Sequence, residues 1–581
     1  LAQGGGRGGA QEVAGAPTAA DAFSGTNVQE ASVDEADLVK SDGRRLFALH
    51  GELLLAIDIG GSQPRLLGEL RIGGGARELL LRGDRLLVIG DGSGGVVDGP
   101  VAMRELAPTG RGEVRLTEVA VGDPAAMRIA RTLDVPGAYV TARLTGGEAR
   151  VVVTTAPDLP VATSGPVEAA AHAAARAGLR AFVPRTRLRS RITHRTFRRP
   201  LAACREVRRP ARFSGLDLLT VLTVDLDRGL YSIERDAILA GAQVVYETPR
   251  SLYVASQRWV RGMDDPEDVP ATLTTEIHRF DAAPGEGTRY AASGSVPGFL
   301  LNQFAMSEHR GALRVASTRE PTWLTPSAAP LAERERERSE SMVSVLRERA
   351  GRLAQVGRID GLGRGERIYA VRFIGDAGYV VTFRQVDPLY TLDLSEAERP
   401  RVAGELEITG YSAYLHPLGD GLLLGVGQDA TEQGLRLGAQ ASLFDVRDPA
   451  APRRLAHLRL GTDSSTQVEG DHRAFLWWAP TRTAVLPVDS WSSGVYGSEA
   501  IGLRAGRADG LREIGRLSHG GDRWPARIRR SFVVGGRLYT LSDRGVASAR
   551  LDSLQPTGFL SFPPAADGGG VGVEPGSPGS G

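Results

Sequence analysis

Several features are nearly missing from this chain, and each absence removes a class of function. There is one cysteine, Cys204, among 581 residues, which excludes an intrachain disulfide framework and a metal site built on several thiolates. No run of apolar residues approaches the roughly 18 that a membrane-spanning helix needs. The net charge is +1, so no overall field favours nucleic acid or an anionic membrane as a partner.

One lysine, Lys40, stands against 69 arginines, and this excludes further enzyme classes. The residues before Lys40 do not form the G-x-x-x-x-G-K-[ST] loop that binds nucleotide phosphates. The chain also contains no G-x-S-x-G nucleophile elbow, no H-E-x-x-H zinc motif and no complete EF-hand loop. The sequence therefore lacks the signatures of P-loop NTPases, α/β-hydrolases and common zinc proteases.

What the chain does have is abundant glycine, 74 residues, and one pattern that recurs from end to end. A short apolar strand, a polar turn and a stronger apolar strand are typical of a β-hairpin. The copies span residues 41–49, 81–89, 144–154, 247–255, 307–316, 373–383, 417–426, 468–478 and 533–541. A second pair of strands follows most copies, so four strands make one unit.

This repeat predicts an all-β fold, a single large β-propeller of eight or nine four-stranded blades with two long loop insertions. Two stacked β-sandwiches would account for the strands but not for the recurring turn. The count stays at eight or nine because the first and last units can share or lose strands where the ring closes.

Composition divides the chain further. Residues 1–25 are predicted to be a flexible N-terminal leader, residues 26–563 the propeller, and residues 564–581 a disordered C-terminal tail. The two insertions lie at about 157–214 and 320–340. Loops of this length inside a compact domain are usually functional or disordered.

The stretch TNVQEASVDEADLVKSDG, residues 26–43, carries a resemblance to a known family. It resembles the pattern N-V-Q-x-x-x-V-D-E-x-D-x-V-K-x-D-G of secreted bacterial and archaeal proteins with a β-propeller domain distantly related to WD40 repeats. The matching residues are Asn27, Val28, Gln29, Val33, Asp34, Glu35, Asp37, Val39, Lys40, Asp42 and Gly43. The resemblance implies a protein that is secreted or associated with the cell envelope, with peripheral membrane association through a lipid anchor or a partner. It implies no particular reaction.

The same stretch is also the first candidate site, with three interpretations. Glu30, Asp34, Glu35 and Asp37 supply the oxygen ligands that Ca²⁺ prefers, although their spacing matches no known calcium loop. Asn27, Lys40 and Asp42 instead suit a structural clasp that holds the entering strand in register. Catalysis is the third interpretation. No cofactor other than Ca²⁺ is suggested.

The first insertion is the second candidate site, because 12 arginines lie between Arg180 and Arg212. It is interpreted either as a solvated or partner-docking loop or as a site for an acidic polymer. Few aromatic residues interleave with the arginines, which argues against specific nucleic-acid binding. The binding candidates are Arg185, Arg187, Arg189, Arg191, Arg195, Arg198, Arg199 and, from the pair in AFLWWAP, Trp478.

Two functions follow from these observations. The first is a non-catalytic, extracytoplasmic binding or scaffold module for a protein or cell-envelope polymer, which uses the loop-bearing face and the insertions. The second is a propeller enzyme, a lyase or a glycoside-acting hydrolase, with a divalent cation and acidic residues in the central channel.

Overall fold

The computed structural model describes residues 23–73, 75–92, 112–158, 176–212, 214–260, 272–319, 339–383, 387–431, 435–492, 495–520 and 526–563. Within these ranges the chain forms nine consecutive antiparallel sheets with four main strands each, some of which carry further strands. The sheets are the blades of a propeller, numbered 1 to 9 in chain order, and each begins with its innermost strand. Blades 4 and 5 are additionally joined by one parallel bridge between Ser293 and Arg352.

The strands are as follows. Blade 1 has Val39–Ser41, Arg45–His50, Leu53–Asp58 and Arg65–Arg71; blade 2 has Gly75–Arg82, Arg85–Asp91, Glu113–Ala120 and Arg128–Pro136; blade 3 has Ala138–Thr145, Glu148–Thr155, Leu218–Asp225 and Ile233–Leu239. Blade 4 has Val244–Glu247, Ser251–Val260, Thr272–Asp281 and Arg289–Pro297; blade 5 has Met306–His309, Ala312–Arg319, Glu340–Arg349 and Arg352–Leu362; blade 6 has Arg367–Ile374, Ala377–Phe383, Asp387–Asp393 and Arg401–Ile408. Blade 7 has Tyr411–Gly419, Leu422–Ala430, Arg436–Asp445 and Arg453–Arg459; blade 8 has a split inner strand, Ser464–Thr466 and Leu476–Trp478, then Thr483–Ser492, Val495–Gly506 and Gly510–Leu517; blade 9 has Ile528–Val534, Arg537–Ser542, Gly545–Arg550 and Pro556–Ser561.

Helices are few and short among the described residues. One turn of α-helix covers Leu179–Phe182, and the 3₁₀ turns are Pro124–Ala126, Cys204–Glu206, Gly229–Tyr231, Gln303–Ala305, Gln467–Glu469, His472–Ala474 and Ala479–Thr481. In this part of the chain we find no helix with the length and apolar character to cross a membrane.

Position within a blade explains the hydrophobic pattern of each strand. The second strand of blade 3, Glu148–Thr155, is buried at every residue after the first, because neighbouring blades cover both of its faces. The outermost strand of blade 7, Arg453–Arg459, buries no residue completely and carries four charged or ionisable side chains. The middle strands of each blade therefore have continuous apolar sequences, and the outermost strands have alternating or polar sequences.

The recurring pattern of the sequence corresponds to the hairpin between the first and second strands of a blade. Eight of the nine copies form this hairpin as predicted. The copy at 468–478 is the exception, and its prediction is wrong. There Asp471 caps a 3₁₀ turn, and two such turns split the inner strand of blade 8.

The ring closes between blades 9 and 1, and neither blade shares or loses a strand. Leu46, Leu55 and Ile57 of blade 1 pack in one apolar cluster with Phe532 and Leu541 of blade 9. The phenol of Tyr539 crosses the same seam, where its hydroxyl lies 2.8 Å from the carbonyl oxygen of Ile59 and 3.2 Å from that of Gly61. Side-chain packing, rather than a composite blade, closes the propeller.

The structure corrects two predicted boundaries. Phe23 and Ser24, assigned to the leader, already bond to the inner strand of blade 9. The described part of the 157–214 insertion is not a loop: Arg185–Ser190 and Arg195–Pro200 form a hairpin that widens blade 2 to six strands. Val207–Arg208 then pairs with the outermost strand of blade 3. The many arginines in this segment hid the alternation of apolar and polar residues that predicts a strand. Residues 1–22, 320–338 and 564–581 lie outside the described residues.

Replacing Tyr539 by Phe tests the closing seam. The substitution removes a buried hydroxyl that the Ile59 carbonyl needs, so we expect the free energy of unfolding to fall by ~1–2 kcal/mol in urea titrations. Tyr231→Phe is the matched control, because Tyr231 is 71% exposed and its hydroxyl can bond to water. Equal stabilities of the two variants would contradict a role for Tyr539 in closure.

Candidate functional site

The inner edge of the ring is lined by the chain's own N-terminal segment. Residues 23–38, here called the channel thread, run along this edge before the chain becomes the inner strand of blade 1 at Val39. The thread meets the blades in reverse chain order, from blade 9 back to blade 1.

The first part of the thread contacts blades 9, 8 and 7. The Ser24 amide donates to the Val533 carbonyl of blade 9 at 2.8 Å. The Asn27 amide nitrogen then donates to the His472 carbonyl in blade 8 at 2.7 Å and to the Tyr414 hydroxyl of blade 7 at 2.8 Å. One asparagine side chain therefore joins two blades to the thread.

The middle of the thread contacts blades 6, 5 and 4. The Gln29 carbonyl accepts from Arg372 of blade 6 at 3.4 Å, and its side-chain amide donates to the Met306 carbonyl of blade 5 at 2.9 Å. Glu30 accepts a hydrogen bond from the Tyr246 hydroxyl of blade 4 at 2.7 Å. Each of these partners lies in an innermost strand.

The last part of the thread contacts blades 3 and 2. Asp34 and Glu35 form a short strand antiparallel to the inner strand of blade 3. Asp37 exchanges backbone hydrogen bonds with Leu79 in the inner strand of blade 2, at 3.2 and 2.7 Å. Because Val39–Ser41 is itself the inner strand of blade 1, the thread and its continuation contact all nine blades.

Lys40 fixes the point at which the thread becomes blade 1. Its ammonium, only 6% exposed, donates to Thr26 Oγ1 at 2.7 Å, Asp34 Oδ1 at 2.6 Å and the Glu35 carbonyl at 2.5 Å. Three acceptors around one small cation match the three N–H donors of an ammonium group. The bonds tie both ends of the thread to the first strand of the ring.

Asp42, the third residue predicted for the clasp, acts one turn further on. Its carboxylate accepts from the amides of Arg44 at 3.0 Å and Arg45 at 2.6 Å, which closes the first hairpin. Although burial acts in the opposite direction, these hydrogen bonds lower the pKa of Asp42. Asn27 and Lys40 therefore hold the thread, whereas Asp42 shapes the turn that follows.

The four carboxylates predicted to bind Ca²⁺ do not meet at one point. Each has a different partner: Glu30 bonds to Tyr246, Asp34 to Lys40, Glu35 to His472 and Gln303, and Asp37 to Arg530. Among the residues that the structure describes, no three acidic, histidine or cysteine side chains are grouped so as to hold a metal ion. Charge in the thread is therefore balanced by protein cations and hydrogen-bond donors.

Several of these partners were missed by the sequence prediction because they lie more than 400 residues away. Arg473 donates to Glu78 Oε1 at 2.7 Å and to the Ala36 carbonyl, and Arg530 forms a bidentate pair with Asp37 and contacts Asp471 at 2.6 Å. The one signal available was the irregular repeat copy at 468–478, which supplies both Asp471 and Arg473. The departure of this copy from the hairpin pattern marks a segment that contacts the channel thread.

Buried opposite charges shift the acid–base behaviour of this network. Burial by itself would raise the pKa of Glu35, but the charges of Arg143 and His472 outweigh it and hold the pKa well below the usual range. The same balance applies to Asp471, where Arg473 and Arg530 oppose burial. Both carboxylates are therefore ionised in the folded protein at neutral pH, and their charge stabilises the fold.

The predicted arginine site is a two-faced hairpin on blade 2. Side chains alternate along each strand, and the register places Arg187 opposite Arg198 and Leu188 opposite Phe197. One face, here called the arginine face, carries Arg185, Arg187, Arg189 and Arg198. The other, the apolar face, carries Leu188, Phe197, Arg195 and Arg199, while Arg191 is exposed next to the turn.

Positive charge exceeds negative charge on the arginine face. Arg115, Arg187 and Arg189 converge on the fully buried carboxylate of Asp134, at 2.8, 3.1 and 2.9 Å. Arg187 also lies 3.7 Å from Glu113. Arg185 and Arg198 are exposed, and within the described ranges neither has a carboxylate partner. The face can therefore accept additional anions.

Trp478, the remaining binding candidate, is not a freely exposed indole. It is half-buried and packs against the apolar cluster between blades 8 and 9, whereas Trp477 packs between blades 7 and 8. The exposed tryptophan of this blade is Trp491, 57% exposed and 5.1 Å from the ring of Tyr496.

Comparisons with known proteins agree with this architecture. A family model described as a beta propeller domain matches residues 23–554. An uncharacterized protein of Methanocaldococcus jannaschii is 40% identical over 34% of this chain and 28% of its own length. One of Archaeoglobus fulgidus is 42% identical over 31% of this chain and 25% of its own length. The matches thus span only about a quarter of these relatives.

Solved structures are more distant. A protein from Lactobacillus plantarum is 12% identical with a TM-score of 0.33, over 61% of this chain and 93% of that chain. Sqt1 from Chaetomium thermophilum is 10% identical with a TM-score of 0.32, over 60% of this chain and 80% of that chain. Similarity at this level carries no argument about function.

Substituting Arg for Lys40 tests the clasp. A planar guanidinium is larger than the ammonium and cannot direct its donors to all three acceptors, so we expect the free energy of unfolding to fall by ~1–3 kcal/mol. Arg44→Lys, an exposed exchange in the adjacent turn, is the control and should leave stability unchanged. If Lys40→Arg instead removed a bound metal without loss of stability, the clasp interpretation would be wrong.

Glu35→Gln tests the charge network through pH. The unfolded chain takes up a proton at Glu35 near pH 4.5, whereas the folded protein does so only at much lower pH. The stabilisation is therefore complete above pH 4.5 and is lost as the pH falls below it. We expect the variant to have a lower free energy of unfolding than the original chain at pH 7, measured by urea unfolding. This difference in free energy, here called the gap, should narrow towards pH 3. The exposed control Glu407→Gln should show no such gap, and a gap that is independent of pH would refute the assignment.

Proposed function

The chain belongs to the beta propeller domain family, and from this premise we propose that it is a non-catalytic, extracytoplasmic binding and scaffold module. Its partner is an acidic protein or an anionic polymer of the cell envelope. The contact is made by the arginine face of the blade 2 hairpin.

The observation that carries this proposal is the surplus of guanidinium groups on a rigid surface. Among the described residues this face carries two carboxylates, those of Asp134 and Glu113, against five arginines: Arg115, Arg185, Arg187, Arg189 and Arg198. Guanidinium groups bind carboxylate, sulfate or phosphate through paired hydrogen bonds. Arg187–Ser190 of the hairpin pairs with the fourth strand of blade 2, so little conformational entropy is lost when a partner binds.

The alternative of an enzyme in the channel has less support. Such an enzyme needs acidic side chains and a cation that are free to act on a substrate. At the inner edge described here the carboxylates of the thread are already engaged with Lys40, Arg530, His472 and Tyr246. The thread itself occupies the space along the inner strands.

The extracytoplasmic location belongs to the proposal and is supported by the resemblance of residues 26–43 to secreted propellers. Peripheral attachment to a membrane, through a lipid anchor or a partner, follows from the same resemblance. A surplus of arginine on one outer face suits a surface on which anionic polymers are abundant.

Reversing two charges tests the arginine face. The double variant Arg185→Glu and Arg198→Glu removes two exposed cations and adds two anions. We expect it to bind dextran sulfate roughly tenfold more weakly than the original chain, because each of the two exposed ion pairs contributes up to ~1 kcal/mol. Binding is measured by fluorescence anisotropy at two salt concentrations, and the difference should shrink at the higher one.

The control is the double variant Arg349→Glu and Arg352→Glu. These exposed arginines face each other at the end of a blade 5 hairpin, so the control changes the net charge equally but at another place. Equal loss of binding in both double variants would show a general charge effect and contradict the proposed face.

A further inference from the structure

A cavity lies on the apolar face of the same hairpin, between blades 2 and 3. Its volume is about 50 Å³, and it opens to solvent. Its walls are mostly apolar and come from Leu133, Leu188, Phe197, Leu230 and Ile233. The inserted hairpin forms one wall, and the 3₁₀ turn Gly229–Tyr231 with the following strand forms the other.

Two arginines enter this apolar cavity from opposite walls. Arg199 comes from the hairpin and Arg235 from the outermost strand of blade 3. Arg235 donates from Nη1 to the Ile233 carbonyl at 3.0 Å, whereas its Nε is buried and has no hydrogen-bond partner. Within the described ranges neither arginine forms an ion pair with a carboxylate.

The charges of this pair are not balanced locally. Burial, followed by the charge of Arg199, lowers the pKa of the Arg235 guanidinium, and the charge of Glu206 offsets this only in part. The Glu206 carboxylate itself accepts from the Ala203 amide at 2.7 Å. An anion placed between the two guanidiniums would relieve their repulsion.

We infer that this cavity binds a small amphipathic carboxylate, with its anionic head between Arg199 and Arg235 and its apolar body against the leucine and phenylalanine walls. The planar carboxylate matches the fork of a guanidinium better than a spherical anion does. The ring of Tyr231, 71% exposed at the mouth, adds an aromatic surface for the body of the ligand. The site is distinct from the arginine face and does not depend on it.

The test uses 4-phenylbutyrate as the probe and its uncharged amide, 4-phenylbutyramide, as the matched ligand, with the full chain in isothermal titration calorimetry and saturation-transfer NMR. We expect the carboxylate to bind at least about tenfold more tightly than the amide. Arg199→Met and Arg235→Met should each abolish that preference. Both substitutions keep an unbranched side chain and remove the charge.

Arg198→Met is the control, because Arg198 is adjacent in sequence but lies on the arginine face. It should leave binding of 4-phenylbutyrate unchanged, and Arg199→Met should leave binding of dextran sulfate unchanged, so the two sites are tested separately. Arg199 is exposed, so its variant gives a result even if Arg235→Met does not fold. Equal affinity for acid and amide, no binding at millimolar concentrations, or an equal loss in Arg198→Met would each overturn the inference.

Discussion

The contact between the N-terminal thread and the inner strand of every blade is the constraint on which the rest of the structure depends. A ring of nine blades leaves a wide opening, and each innermost strand presents unpaired backbone groups and polar side chains towards it. Exposed strand edges are costly and prone to wrong pairing. The thread supplies partners from Val533 in blade 9 to Leu79 in blade 2, and it then becomes the first strand of the ring. The ring is therefore closed both by the contacts of the channel thread and by the seam between blades 9 and 1 at Tyr539.

The chemistry of the thread explains its unusual residues. A buried ion pair must offset the desolvation of both groups, and this succeeds only where the geometry satisfies every donor and acceptor. At Lys40 three acceptors converge within 2.7 Å of one nitrogen, a site too compact for a guanidinium. The Asp37 site instead suits a guanidinium, because the planar carboxylate accepts hydrogen bonds from two nitrogens of Arg530. A chain with 69 arginines thus retains its lysine where only an ammonium fits, and such matched pairs also fix the register of the entering strand.

Most of the fold could be predicted from the sequence because its information is local. A hairpin of about ten residues carries its own turn signal, and the repetition of that signal indicates a ring. The candidate site could not be predicted to the same extent, because Asn27 meets Tyr414 and His472, and Asp37 meets Arg530, across hundreds of residues. The acidic stretch was visible, but its partners were not, so a calcium site and a clasp looked alike. The arginine hairpin was hidden for another reason: uniform charge obscured the alternation that Leu188 and Phe197 preserve.

The channel thread and the arginine hairpin have different roles in the molecule. The polar groups of the channel thread bond to the inner strands at the centre of the ring, whereas the insertion adds strands to blades 2 and 3 at the rim. The period of two in a strand gives that hairpin two different surfaces from one short segment. One presents guanidiniums around Asp134, and the other lines a cavity to which Arg235 of blade 3 also contributes. A single insertion can therefore add two chemically different surfaces to a propeller without disturbing the interactions that close it.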